Sequence, residues 1–270
     1  MTSSALSSHH LPITQEATTR RLTRYYRLTR IALHTLSGVA MAAMVMPLSS
    51  KNGRLAIILW WSKTLLRILN VQVKVYGQTP PTYASARNNL LVANHISWLD
   101  IHAINSLLPV RFIAKSDIKS WPVFGYLAKK SQVLFIERGK RQHATRIVDL
   151  TTQSLKAGDN VCLFPEGTTT DGTCIAPFKG SVMQSALQAK STVWPIAIRY
   201  SRADGSINTE VAYAGDTTLV ESILSVVGLQ QAILELHFLP PILFGQEAAQ
   251  QHRRDLTQHI QQLITKKLKL

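Results

Sequence analysis

From residue 71 onward the chain repeats one pattern, and that pattern constrains its fold more than anything else in the sequence. Short runs rich in Val, Ile, Leu and aromatic residues occur at 71–76, 89–93, 110–114, 132–137, 161–164, 193–200, 210–214 and 233–239, each bounded by Gly, Pro, Asn or Asp. Runs of this length and composition predict strands. Between them, residues 142–156 carry Ala144, Ile147, Val148 and Leu155 at helical spacing with Gly158 just beyond, and 181–190 and 219–227 also read as helices. Strands alternating with helices dictate an α/β domain. The last segment, 247–270, places Leu256, Ile260, Leu263, Ile264 and Leu268 at helical spacing and ends in Lys266, Lys267 and Lys269, cations that complement a helix C-terminus or touch lipid.

A length of 270 residues suits one large domain or two small ones. The chain has no linker and no internal repeat, so residues 71–270 are expected to form one α/β catalytic unit. The apolar share of 46% against 17% charged residues excludes a disordered chain. Thirty Lys and Arg against 15 Asp and Glu give a formal charge of +15, which calls for an anionic partner: nucleic acid, anionic lipid or a phosphorylated substrate. Cys162 and Cys174 lie in one short segment without a secretory cleavage pattern before them, which points to a reducing, cytosol-facing compartment.

Before residue 71 the pattern differs. Residues 1–30 form a basic arm in which Arg20, Arg21, Arg24, Arg27 and Arg30 face only Glu16. Residues 31–48 carry no charge but include His34, Thr35, Ser37 and Gly38; at 1.5 Å per residue they reach about 27 Å, barely the ~30 Å of a hydrocarbon core. A second apolar stretch, 55–69, has Lys63 and Arg67 along one edge and Ile57, Ile58, Trp60, Trp61, Leu65 and Leu66 elsewhere. Trp beside Ile and Leu, with cations on one face, suits a membrane interface; two core-packed helices of a soluble domain would show the same pattern. The expected arrangement is a membrane-associated helical pair over residues 31–70, half embedded, which returns the chain to the cytoplasmic side of the inner membrane. Residues 1–70 are then expected to serve membrane binding rather than chemistry.

The chemistry-bearing residues cluster at predicted strand ends. G-x-S-x-G, G-x-x-x-x-G-K-[ST], G-x-G-x-x-G, C-x-x-C and H-E-x-x-H are all absent. Asn94-His95-Ile96-Ser97-Trp98-Leu99-Asp100 follows the run 89–93. Five positions along a regular helix turn through ~500°, so His95 and Asp100 meet only if His95 precedes the helix and the turn folds it back. Asp100 would then fix the imidazole tautomer, and the other ring nitrogen could act as general base toward a substrate hydroxyl. A capping or packing pair is the alternative. Phe164-Pro165-Glu166-Gly167-Thr168-Thr169 follows the run 161–164, and Phe135-Ile136-Glu137-Arg138 ends another. Each alone is an ordinary turn or a solvated charge; together they converge on the crevice that an α/β sheet forms at its strand C-termini.

These blocks, with Trp194-Pro195-Ile196-Ala197 as a fourth, resemble those of the glycerolipid acyltransferases, and especially the bacterial 1-acylglycerol-3-phosphate (lysophosphatidic acid) acyltransferases. The resemblance runs from about residue 71 to 200 and takes in Lys115, Phe124-Gly125 and Phe178-Lys179-Gly180. It implies a glycerol-3-phosphate acyltransferase-like mixed sheet flanked by helices, behind an N-terminal membrane-associated helical pair. It implies transfer of a fatty acyl chain from acyl-CoA or acyl-carrier protein to a lysolipid hydroxyl, with membrane lipid as partner and neither metal nor further cofactor. His95 would be the base and Asp100 its orienting partner. Arg138 and Lys115 would hold an anionic head, Asn94, Ser97, Glu166, Gly167 and Thr168 would belong to the substrate site, and the fourth block would line the acyl or acceptor cavity. Members that form phosphatidic acid commonly carry Arg after Phe-Pro-Glu-Gly-Thr, where this chain has Thr169; that variant is similar to lyso-ornithine-lipid and other lysolipid acyltransferases. A nucleic-acid-binding protein would spread its cations over a recognition helix or an aromatic-studded sheet, and the charge here flanks apolar segments instead. A purely structural membrane-anchored protein would have no use for His, Asp, Arg and Glu at strand ends.

Overall fold

Among the described residues five of seven strands run in one direction, and their C-terminal ends build the site. The computed structural model describes residues 19–81, 85, 87–137, 141–243 and 252–270. The strands are β1 (Val71–Tyr76), β2 (Asn89–Ala93), β3 (Arg111–Lys115), β4 (Leu134–Ile136), β5 (Val161–Leu163), β6 (Thr192–Ser201) and β7 (Ala232–Phe238), in the order β1-β7-β6-β2-β5-β3-β4. Neighbours are parallel except β6 and β7, so β1 and β7 oppose the other five and the sheet is mixed.

Helices cover both faces, which explains why β2 is buried at every position. Its residues alternate between two cores: Leu91 and Ala93 on one face, Leu90 and Val92 on the other. The second face is closed by α5 (Arg141–Lys156), α6 (Met183–Ala189) and α8 (Arg253–Leu268), through Ile147, Leu155, Met183, Ile260 and Ile264. The first is closed by α3 (Leu99–Asn105), α7 (Leu219–Gly228) and α2 (Lys51–Ile68), the second member of the N-terminal pair. A short helix α4 (Phe124–Lys130) follows β3.

Residues 210–214 are not a strand. Thr209–Val211 form a 3-10 turn after Asn208, whose side chain accepts from the Glu210 amide. Val211 is fully buried and the Tyr213 amide bonds the Ile96 carbonyl. The apolar pattern there records packing onto the site, without a sheet neighbour.

The N-terminal pair is integral to the domain. Helix α1 (Arg21–Ala40) starts inside the basic arm and continues without a break through Leu48, a 28-residue helical stretch apolar and long enough to cross a membrane, only 22% of its most apolar window being buried. Leu22, Tyr25, Tyr26, Leu33 and Leu36 are exposed along it. Its Arg27 is buried instead, donating to the carbonyls of Val227, Leu229 and Gln230 at 3.1, 2.6 and 3.1 Å, at and just beyond the C-terminal end of α7. The polar residues that interrupt the apolar run at 31–48 join the pair: His34 Nε2 lies 3.0 Å from the Trp61 carbonyl, and the Trp61 indole N–H donates to the His34 carbonyl at 3.2 Å. Leu65, Leu66, Ile68 and Leu69, from α2 and its end, are buried, and all but Ile68 lie in the core beside α3. Lys51, at the start of α2, pairs with Asp159 at 2.6 Å.

Candidate active site

Because β2 to β6 run parallel, the segments that follow β2, β5, β3 and β4 emerge at one edge, with β2 directly between β5 and β6. His95 lies between the end of β2 and α3, and the turn 96–98 folds Asp100 back to it. His95 Nδ1 sits 2.8 Å from Asp100 Oδ2, which also accepts the amides of Ile96 at 2.8 Å and Ser97 at 3.0 Å. A carboxylate only accepts, so in the neutral imidazole Nδ1 carries the proton and Nε2 keeps its lone pair. Asp100 is completely buried, and the His95 side chain is 18% exposed. The imidazole stacks on Phe164, the first residue after β5, with centroids 3.9 Å apart and planes 7° from parallel.

The second block holds the first by its backbone. Glu166 Oε1 accepts the His95 amide at 2.7 Å, Oε2 accepts the Ala176 amide at 2.7 Å, and the Thr170 amide donates to the His95 carbonyl at 2.9 Å. Burial raises the Glu166 carboxyl above its usual range, against the two amides and His95, which pull it down. Gly167 turns the loop at φ +67°, a left-handed conformation that favours Gly.

His95 opens onto a cavity of about 930 Å³. Its wall is largely apolar and comes partly from the N-terminal pair, through residues such as Ile31, Met41, Ile57, Trp61 and Leu65. Lys115, Lys179, Gly167, Thr168, Thr169 and Tyr213 bring polar groups to it. Residues between Ile31 and Leu65 therefore contribute a wall of the site, contrary to a role of the N-terminal segment in membrane binding alone.

Several site residues expected from the sequence do not line this cavity. Asn94 is buried and spends its amide on β6, donating to the Ile198 carbonyl at 2.9 Å and accepting the Ile198 amide at 2.7 Å. Ser97 is fully buried beneath Asp100, and Glu166 is buried in the brace just described. Residues 194–197 lie inside the sheet, with the Trp194 indole donating to Asn89 Oδ1 at 2.9 Å. Arg138 lies outside the described residues. Lys179, within Phe178-Lys179-Gly180, and Trp61, whose sequence pattern suits a membrane interface, line the cavity as well. Among the described residues no His, Cys, Asp and Glu side chains group as metal ligands would.

Fold and site define the class: an α/β enzyme that presents a His–Asp pair, at a strand end, to a large apolar cavity. A family model described as Acyltransferase matches residues 72–199. The lyso-ornithine lipid O-acyltransferase of Pseudomonas aeruginosa is 35% identical over 184 residues, 68% of each chain. The 1-acyl-sn-glycerol-3-phosphate acyltransferase of Neisseria gonorrhoeae is 34% identical over 177 residues, 66% of this chain and 68% of that one. The crystal structure of the 1-acyl-sn-glycerophosphate (LPA) acyltransferase PlsC from Thermotoga maritima shares the fold, with a TM-score of 0.67 over 92% of this chain and 94% of that one at 19% identity. The chain belongs to the acyltransferase family.

Proposed function

We propose that the protein transfers a fatty acyl chain from a thioester, acyl-CoA or acyl-carrier protein, to the hydroxyl of a lysolipid in phospholipid biosynthesis, with 1-acyl-sn-glycerol-3-phosphate as acceptor and phosphatidic acid as product. The observation that carries this reading is the His95–Asp100 pair, with His95 Nε2 left to act at a cavity large and apolar enough for acyl chains. His95 takes the acceptor's hydroxyl proton as that oxygen attacks the thioester carbonyl carbon. The tetrahedral intermediate collapses with cleavage of the C–S bond, and the proton passes from His95 to the departing thiolate. Asp100 stabilises the imidazolium between the two transfers. Lys115 and Lys179 on the cavity wall, with Arg138, meet the anionic head, and Gly167 and Thr168 shape its seat.

A second acceptor, lyso-ornithine lipid, is favoured by one observation. The Thr169 hydroxyl donates to the Tyr213 carbonyl, so the place of the usual Arg holds a neutral group already engaged with the wall. Purified protein offered both acceptors and other lysolipids, each with acyl-CoA and with acyl-carrier protein, and read by mass spectrometry, decides among them. Absence of any esterified product would refute the reading.

The proposed setting is the cytoplasmic face of the inner membrane, with the catalytic domain toward the cytoplasm. The exposed apolar residues of α1 suit lipid, and the basic residues at its start suit anionic headgroups. Arg27 ties the start of α1 to α7, and Lys51 ties the start of α2 to Asp159. Both helices thus lie along one domain, which supports a half-embedded pair.

A further inference from the structure

We propose that Tyr200 is a positioning residue for the reaction, its hydroxyl holding the carboxylate of Asp100 in the plane that keeps Oδ2 on His95. The inference rests on the reading of His95 as general base. Tyr200 lies on β6, 100 residues from Asp100 in sequence, and donates to Oδ1 at 2.7 Å. The two carboxylate oxygens are served unequally. Oδ2 takes His95, Ile96 and Ser97, whereas Oδ1 accepts the Tyr200 hydroxyl. A terminal carboxylate torsion is soft, so donors on one oxygen alone leave the plane loosely held. A strong donor on the other oxygen fixes it.

The setting separates this role from packing. Tyr200 continues the stripe Trp194, Ile196, Ile198 on the face of β6 turned to the first core, and it is 1% exposed. Phe would fill that volume equally well, and a buried phenol needs a partner for its hydroxyl. Burial and the adjacent Asp100 push the phenol well above its ordinary range, so it remains a donor at any working pH. Ser97 is buried beside the same pair, with its amide on Oδ2. Other ionisable groups facing the pair are Glu166 from the loop after β5 and Cys162 from β5, with Lys115 and Lys179 on the cavity wall. Tyr200→Phe leaves them all in place.

Removing the hydroxyl should do two things. The carboxylate plane loosens, so turnover falls, and undispersed charge on Asp100 favours imidazolium, so the acid limb of the pH profile moves up. The test uses full-length protein with acyl-CoA and 1-acyl-sn-glycerol-3-phosphate. For Tyr200→Phe the expected result is a kcat lower by about tenfold, acceptor KM within about twofold, and an acid limb of kcat/KM raised by about half to one pH unit. Incorporation of 3-fluorotyrosine at 200, a stronger donor of nearly the same size, should move the limb the other way and serves if the Phe variant folds poorly. Wild-type kcat and limb in Tyr200→Phe, or lower thermal stability with an unmoved limb in both variants, would overturn the proposal. Full activity in His95→Ala would instead overturn the reading on which it rests.

Discussion

Gly38 of α1 lies so close to the Trp61 indole of α2 that a Cβ placed on it would stand 2.6 Å from Nε1. No side chain other than hydrogen fits there without displacing the ring, and both residues line the cavity beside His95. A glycine that only weakens an apolar helix in the sequence is therefore the contact that lets the pair close.

Gly38→Val should push the indole aside and break its bond to the His34 carbonyl. Overpacking of this kind costs about 1–3 kcal/mol, and the cavity wall moves with it. The expected outcome is a lower denaturation midpoint and a raised KM for long acyl donors; unchanged values for both would show that the pair accommodates the side chain.

Glu166 offers a sharper separation of bracing from substrate contact. Glu166→Ala leaves the partly buried amides of His95 and Ala176 without their partner, at about 1 kcal/mol each, while Glu166→Gln keeps one acceptor oxygen. Stability and kcat should therefore rank wild type, Gln, Ala, with acceptor KM little changed. A rise in acceptor KM alone, without loss of stability, would return Glu166 to the acceptor site.

Truncation before residue 71 should yield no folded enzyme. It strips Leu65, Leu66 and Leu69 from the core, each worth about 1.5–3 kcal/mol of burial, and removes Arg27 from the end of α7. Against a total stability of about 5–15 kcal/mol that loss is decisive. A soluble, cooperatively unfolding 71–270 fragment would contradict it.

His102 of α3 is packed against Trp61 and Trp98, and burial holds its imidazole down to about 4 from an ordinary 6.5. Below the ordinary value the unfolded chain binds a proton that the folded chain refuses. Its contribution is thus intact above about pH 6.5 and is lost as the pH falls toward about 4. Urea midpoints measured across that window should fall more steeply for the wild type than for His102→Gln; parallel curves would remove His102 as the cause.

The strands were legible because apolar runs bounded by turn residues carry their own signal, and the predicted strand-end motifs emerge at one sheet edge as the parallel order requires. What sequence could not show was side-chain direction across long separations. Asn94 looks like a site residue by position, yet its partner is the Ile198 backbone. Tyr200 ends the run 193–200 without distinction until β6 sets it against Asp100, although a phenol at a core-facing position of a strand is itself a sign of a buried partner. Residues 31–69 carry a membrane-like pattern because a cavity wall and a core-packing face need the same apolar side chains that a lipid-facing helix would; their contacts with α3 and α7 are non-local.

The central claim is that His95 is the base for acyl transfer. Full-length His95→Ala, reconstituted in vesicles and checked for wild-type circular dichroism, should lose about 10²–10⁴-fold in kcat for acyl-CoA with the best lysolipid acceptor. A folded His95→Ala protein turning over at near the wild-type rate would contradict the account.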